Sequence, residues 1–439
     1  DVTVLDYNQK KIDFVNEHLD VLTVVANGLD ISILKELKIS SYDLLVATTD
    51  SDETNTLICS LAKKLGCDIT IARIRNPEYM QQLDFIKYEL GIDYIINPDL
   101  ATAKAIERFL LKNYNFYSGE FASGKVQMID FNIEDMEEFV GKKLMELDYF
   151  KGMLVTAISR NGELIIPDGS TELMANDTIY VLGKTTDIDN LNNRITKDII
   201  RKDVERVMIL GGSNIGYYLA QRLSESNISV TLVEKDKERC HELSEGLSDV
   251  LIIHGDGTDI NLLEEEGISS MDAFVGVTGF DEENLLMALM AKQAGVAKTI
   301  AKISRQNYSK IIDRLGIDTA LNPIYITASE ILKVIRGGKI VSVSLLLGGD
   351  AEVTEIIVDK DLPIVGKSLE ELRLPKGIIV GIVIHDGEVI IPNGKTRIYA
   401  NDRIIVFCLS ENLSTLKKFF KSQKGGILNE LWNSTKGIR

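Results

Sequence analysis

The residues best suited to chemistry are a glycine-rich run and the acid that follows it. Gly211, Gly212, Ser213, Asn214, Ile215 and Gly216 come directly after a short apolar stretch, VERVMIL at 204–210. Helically spaced apolar residues follow at 217–226, then a second apolar run, VTLVEKD at 230–236, which contains Glu234. Strand, Gly-rich turn, helix and acid-ended strand together open a dinucleotide-binding unit. The glycines let the backbone approach a pyrophosphate, the helix N-terminus supplies N–H donors, and the acid takes ribose hydroxyls. Ser213 holds the place usual for the middle glycine, so the match is imperfect and a plain tight turn is the alternative. An acid at the Glu234 position repels a 2′-phosphate, which favours NAD(H), or ATP/ADP, over NADP.

Further candidates fall where later strands end, the rim at which open α/β sheets bind ligands. Asp256 lies in HGDGTD (254–259), Thr278 after the fourth strand and Lys302 at the end of the fifth. In the first half, Asp6 matches Glu234, Thr48 and Thr49 end a strand, and Arg73 stands where the second half has Lys302. Arg73 could neutralise phosphate, so two chemically unequal sites are expected. The acidic clusters at 50–53 and 264–266 lack the D-x-D-x-D-G order of a calcium loop and read as solvated helix starts. Cys59, Cys67, Cys240 and Cys408 are widely spaced with no C-x-x-C and read as small buried hydrophobes. The four histidines form no H-x-x-x-H pair, and no G-x-S-x-G, Walker loop or H-E-x-x-H is present. With no acid–base pair after either nucleotide unit, a binding protein is expected rather than an enzyme.

The elements that must position these residues occur twice. ISSYDLLVATTDSDETN (39–55) returns as ISSMDAFVGVTGFDEEN (268–284), and IARIRNPEY (71–79) as IAKISRQNY (300–308). Downstream, VGKKLMEL (140–147) returns as VGKSLEEL (365–372), and the segment at 162–181 returns at 387–406. A period above 200 residues means a duplicated domain pair, not a solenoid. The expected fold is α/β: two doubly wound, Rossmann-like parallel-sheet domains at 1–115 and 204–336, alternating with two small α+β domains at 124–197 and 338–424. Each small module should carry a hairpin, at Asn161-Gly162 or Asp386-Gly387, and one short helix, at 142–147 or 367–372. The stretch 187–203 reads as a polar connector, and 425–439 as a basic tail. VTVLD (2–6) aligns with VTLVE (230–234), so the first unit is expected to lack a strand and Gly-rich loop, about 25 residues for one βα unit.

Composition narrows the partners. The chain has 439 residues with a net charge of −17, which argues against nucleic acid, a ligand that calls for a clustered basic face. No apolar run reaches the roughly 18–20 residues of a spanning helix.

The motifs T-x-x-D-E-x-N (49–55 as TDSDETN, 278–284 as TGFDEEN), D-G-T-D (256–259) and A-R-I-R-N-P-E-Y (72–79) resemble those of RCK/TrkA-N domains. The following G-K-x-L-x-E-L and I-I-P-x-G…A-N-D segments resemble TrkA-C domains. In tandem, and over residues 1 to about 420, they resemble the Trk-type potassium uptake regulators. That resemblance implies a cytoplasmic regulatory subunit, peripheral at the inner face of the cell membrane. It would assemble as a homo-oligomeric ring beneath a membrane-embedded potassium transporter or channel subunit and respond to NAD(H) or ATP/ADP. The first site would then use Asp6, Thr48, Thr49 and Arg73, and the second Gly211–Ile215, Glu234, Asp256 and Thr278, with Lys302 beside them. An NAD-dependent oxidoreductase and a regulator of a different ion transporter are the alternatives.

Overall fold

The computed structural model describes residues 2–111, 119–133, 136–195, 204–305, 316–336, 339–346 and 349–420. The tail expected at 425–439 lies outside them. The second nucleotide unit contains β11 (Arg206–Leu210), α7 (Asn214–Glu225), β12 (Ser229–Glu234), α8 (Lys237–Gly246), β13 (Val250–His254), α9 (Ile260–Glu265), β14 (Ala273–Gly276), α10 (Asp281–Gln293), β15 (Lys298–Lys302) and β16 (Thr319–Leu321). Its strands form one parallel sheet in the order β13-β12-β11-β14-β15-β16. β11 is central and reads RVMIL, a nearly continuous apolar run, because both faces of the sheet are covered.

The first unit repeats this order with β1 (Thr3–Asp6), α1 (Gln9–His18), β2 (Leu22–Val25), α2 (Ile31–Glu36), β3 (Leu44–Ala47), α3 (Asp52–Lys64), β4 (Ile69–Arg73), α4 (Leu83–Leu90) and β5 (Tyr94–Ile96). Its strands form two separate pieces, β1-β2 and β3-β4-β5. Among the described residues no strand joins β1 to β3 as β11 joins β12 to β14. Val2 is correspondingly 57% exposed, where the aligned Val230 of the second unit is 2% exposed.

Two long helices tie the units together. α5 (Pro98–Leu111) leaves the first unit and places Ala103, Ile106, Phe109 and Leu110 in the core of the second, against Val207, Ile209 and α7. Lys298, at the start of β15, donates to the Leu110 carbonyl at 3.1 Å, satisfying an orphan acceptor at the α5 C-terminus. α11 (Pro323–Arg336) is the counterpart of α5 in the second half and packs against α5 and the strand Ile340–Leu346.

The small modules are antiparallel. The first holds β6 (Gly119–Phe121), β7 (Val126–Asn132), β8 (Met153–Arg160), β9 (Glu163–Ile165) and β10 (Asp177–Lys184), in the order β6-β7-β10-β8-β9. The second holds β17 (Ile340–Leu346), β18 (Ala351–Ile357), β19 (Ile378–His385), β20 (Glu388–Ile390) and β21 (Arg403–Leu409), in the matching order β17-β18-β21-β19-β20. Both expected hairpins form. Asn161 and Gly162 have φ of 54° and 85°, and Asp386 and Gly387 have 48° and 83°, the signs a two-residue type I′ turn requires. The two sheets face each other across one core, where Phe121, Met128 and Leu182 meet Val353, Ile382 and Phe407.

Two expectations are corrected. The stretch from 187 is not a plain connector, because α6 (Thr185–Ile195) buries Ile188 and Leu191 against the first module. The second module ends likewise in α13 (Leu413–Phe420), which buries Leu416. The polar composition of α6 hid a narrow apolar stripe at helical spacing. The short helices are also shorter than expected: a 3-10 turn at Leu144–Glu146 and α12 (Leu369–Leu372).

Candidate nucleotide-binding site

A cleft of about 440 Å³ opens at the carboxyl edge of β11, β12, β13 and β14. Gly211, Gly212 and Ser213 form its floor. Gly211 has φ +108°, and a Cβ on Gly216 would lie 2.1 Å from the Gly211 carbonyl oxygen, so neither position tolerates a side chain. Ser213 is different. Its φ of −59° suits any L-residue, and its hydroxyl turns toward the sheet, donating to the Val277 carbonyl at 2.9 Å and capping the Gly216 N–H at 3.4 Å. A serine therefore fits here because its side chain becomes the helix cap instead of filling the cleft.

Glu234 ends β12 and lines the cleft. One carboxylate oxygen accepts from the Gly212 N–H at 2.6 Å and the other from the Asp236 N–H at 2.8 Å. Each oxygen keeps a second lone pair, so a ribose hydroxyl can still be accepted. Arg239, on α8, donates to the Gly212 carbonyl at 2.7 Å and also lines the cleft. Neither Arg239 nor Lys235 and Phe280, which line it too, was singled out from sequence.

Asp256 lines the third side, where it accepts from the backbone and hydroxyl of Thr258 at 3.0 and 2.8 Å. Those bonds hold its carboxyl below the usual range. Thr278 lines the fourth side, with its backbone and hydroxyl both donating to the Asn284 side-chain oxygen, at 2.8 and 2.9 Å. Asn284 is fully buried and its amide reaches the Lys302 carbonyl at 3.0 Å. The same clip recurs in the first half, where Asn55 joins Thr49 to Arg73. The T-x-x-D-E-x-N motif is thus in part an architectural device that fixes the strand-four rim to strand five. Its middle acid does similar work: Asp281 accepts from the Ser304 and Arg305 N–H groups, and Asp52 from those of Arg75 and Asn76.

Three expected residues do not line the cleft. Ile215 is 6% exposed and packs in the sheet core, so only its backbone faces the turn. Asn214, in the first turn of α7, reaches toward the Arg75 carbonyl of the other unit at 3.5 Å. Lys302 lies behind the rim, donating to the Thr278 carbonyl at 2.8 Å, and burial pushes its ammonium below the ordinary range. Arg73 makes the same contact to the Thr49 carbonyl at 2.7 Å. The Arg–Lys exchange that distinguished the two halves in sequence therefore leaves this local role unchanged.

In the first half the expected residues fall on both sheet pieces. Asp6, at the end of β1, accepts from the Asn8 N–H at 2.8 Å and lies 3.9 Å from Lys11. The groove beside it is bounded by α1 residues such as Ile12 and Phe14, not by Thr48, Thr49 or Arg73, which belong to the β3-β4-β5 piece.

Comparison with known proteins decides the family. TrkA-N domains match residues 1–98 and 207–323, and TrkA-C domains match 128–196 and 353–421. The chain belongs to the TrkA family of Trk system potassium uptake proteins. A TrkA homolog of Methanosarcina mazei is 36% identical over 429 residues, covering 96% of this chain and 95% of the relative. One from Archaeoglobus fulgidus is 34% identical over 421 residues, with the same coverage, and TrkA of Haemophilus influenzae is 32% identical over 431 residues, covering 96% and 93%. The fold is shared with the GsuK channel, at a TM-score of 0.57 and 18% identity over 95% of this chain and 74% of that one. The TrkA-N units are the Rossmann-like domains and the TrkA-C units the antiparallel modules. Among the described residues, no helix is long and apolar enough to cross a membrane.

Proposed function

We propose that this TrkA-family chain is a nucleotide-responsive regulatory subunit of a potassium uptake system. It binds NAD(H), or ATP/ADP, at the rims of its Rossmann-like units and biases the gate of a membrane-embedded potassium-translocating subunit. It does so as part of a homo-oligomeric ring, at the inner face of the cell membrane. The observation that carries this reading is the cleft between the α7 N-terminus and Glu234. The glycine-rich turn leading into α7 meets a carboxylate at the end of the next strand, the arrangement an adenine nucleotide needs for its phosphates and its ribose. A GsuK channel of the same fold has been solved bound to NAD.

Binding, rather than turnover, suits the lining. No histidine is among the residues around the cleft, Glu234 and Arg239 are engaged with Gly212 of the glycine-rich loop, and Asp256 is engaged within its own loop. A signal has a direct route out. Arg222 of α7 pairs with Glu107 of α5 at 2.6 Å, and α5 precedes the first TrkA-C module in the chain. A nucleotide that draws the α7 N-terminus toward its phosphates therefore pulls on the helix joining the two halves. The shift it can produce equals its difference in affinity for the two states of the ring.

Isothermal titration of the full chain with NADH, ATP and NADPH tests the reading. Binding of NADH or ATP is expected, with NADPH weaker because Glu234 meets its 2′-phosphate. Absence of binding by both NADH and ATP would sink the nucleotide role. Equal affinity for NADPH would remove only the assignment to Glu234.

A further inference from the structure

Phe280 breaks a local rule at the mouth of the cleft. It is the residue before α10, the N-cap position, yet it has no side chain able to cap. At the aligned position of the first unit, Ser51 caps α3 by accepting from the Thr54 N–H at 3.1 Å. The second unit has exchanged a useful cap for an aromatic ring that is 56% exposed. Large exposed aromatics that also forgo a local hydrogen bond are most simply explained by a ligand. Across the cleft mouth, the Lys235 ammonium lies 5.3 Å from the centre of the Phe280 ring, a cation–π contact. In the first unit the residue aligned with Lys235 is Tyr7, which is 75% exposed. An aromatic thus follows β1 in the first unit, whereas in the second it follows β14.

We infer that Phe280 is the base-stacking residue of the second cleft and that Lys235 occupies its ring only until a planar base displaces it. The inference rests on the nucleotide reading and names the adenine base as what the ring takes. Glu234 marks the ribose side, the loop at 211–216 marks the phosphates, and Phe280 supplies a flat apolar face on the wall opposite Lys235. Every base has a π-face, so stacking adds affinity for adenine nucleotides as a class, and Glu234 is left to sort them at the ribose.

The test uses the full chain and two substitutions. Phe280→Ser installs the cap that Ser51 provides, so its melting temperature should be no lower than that of the parent. Its affinity for ATP and NAD⁺ at the second site should fall about ten-fold or more, the loss expected of one stacked base. Opposite effects on stability and binding are what a purely structural aromatic would not give. Phe280→Trp should retain binding and place an indole against the base. Apart from this indole the chain has only Trp432, so quenching by saturating ATP that the parent lacks reports contact at position 280. If Phe280→Ser binds as tightly as the parent, or if Phe280→Trp binds ATP with unchanged emission, the stacking role is overturned and the nucleotide reading stands. If the parent binds neither ATP nor NAD⁺, both fall together.

Discussion

At the residue scale, the duplication is most informative where aligned positions carry different chemistry. Arg160 and Asp177 of the first TrkA-C module form a bidentate pair at 2.8 Å. In the second module the aligned residues are His385 and Asp402, joined at 2.6 Å. The hydrogen bond to Asp402 raises the His385 pKa above its ordinary value. A raised folded-state pKa contributes stability that is complete below the unfolded histidine value, about 6.5, and is lost as pH rises through the folded one. The melting temperature of the parent relative to His385→Asn should therefore be highest in mild acid and converge above the folded pKa. Thermal unfolding from pH 5.5 to 8.5 checks this. A difference independent of pH would mean that the imidazolium–carboxylate pair contributes nothing. Arg160 stays charged throughout, so the first module should show no such dependence.

At the element scale, the junction between α11 and the second module rests on a buried ion pair. Arg336, in the last turn of α11, reaches Glu352 of β18 through two bonds of 2.5 and 2.9 Å, and Thr354 donates to the same carboxylate at 2.7 Å. Glu352 is fully buried. Its counterpart in the first module is Gln127, also fully buried and neutral, so that module needs no cation beneath it. Removing one partner of a buried pair leaves an uncompensated charge, at a cost of about 3–5 kcal/mol. Arg336→Ala should destabilise the second module by that order in urea unfolding. Arg336→Ala combined with Glu352→Gln should recover much of the loss, because the stranded charge is gone. If the double variant is as weak as the single one, the loss lies in packing of the arginine stem instead.

At the scale of the whole molecule, the two halves are not independent copies set side by side. α5 belongs to the first half in sequence and to the second in packing, with Ile106, Phe109 and Leu110 almost wholly buried there. The facing TrkA-C sheets likewise share one core. A fragment beginning at 204 would uncover both surfaces. It should bind a hydrophobic dye strongly and melt well below the full chain, and adding a peptide spanning 97–111 should restore part of the difference. A fragment as stable as the full chain would show that α5 covers the second sheet without supporting it.

Local pattern was enough for much of this. The apolar run into Gly211, the acid at Glu234 and the Asn-Gly and Asp-Gly hairpins each depend on a few consecutive residues whose backbone options are narrow, so strands, turns and the second cleft were legible in one dimension. The duplication likewise showed directly as repeated words. Tertiary structure decided whatever depends on residues far apart. It turned Lys302 and Arg73 behind the rim, where a threonine carbonyl was the nearer acceptor, and it put Phe280 and Lys235 across from each other although 45 positions separate them. It also gave α5 to the other half. An amphipathic helix announces that it must bury a face, but which surface it covers is set by the free energy of the whole packed chain.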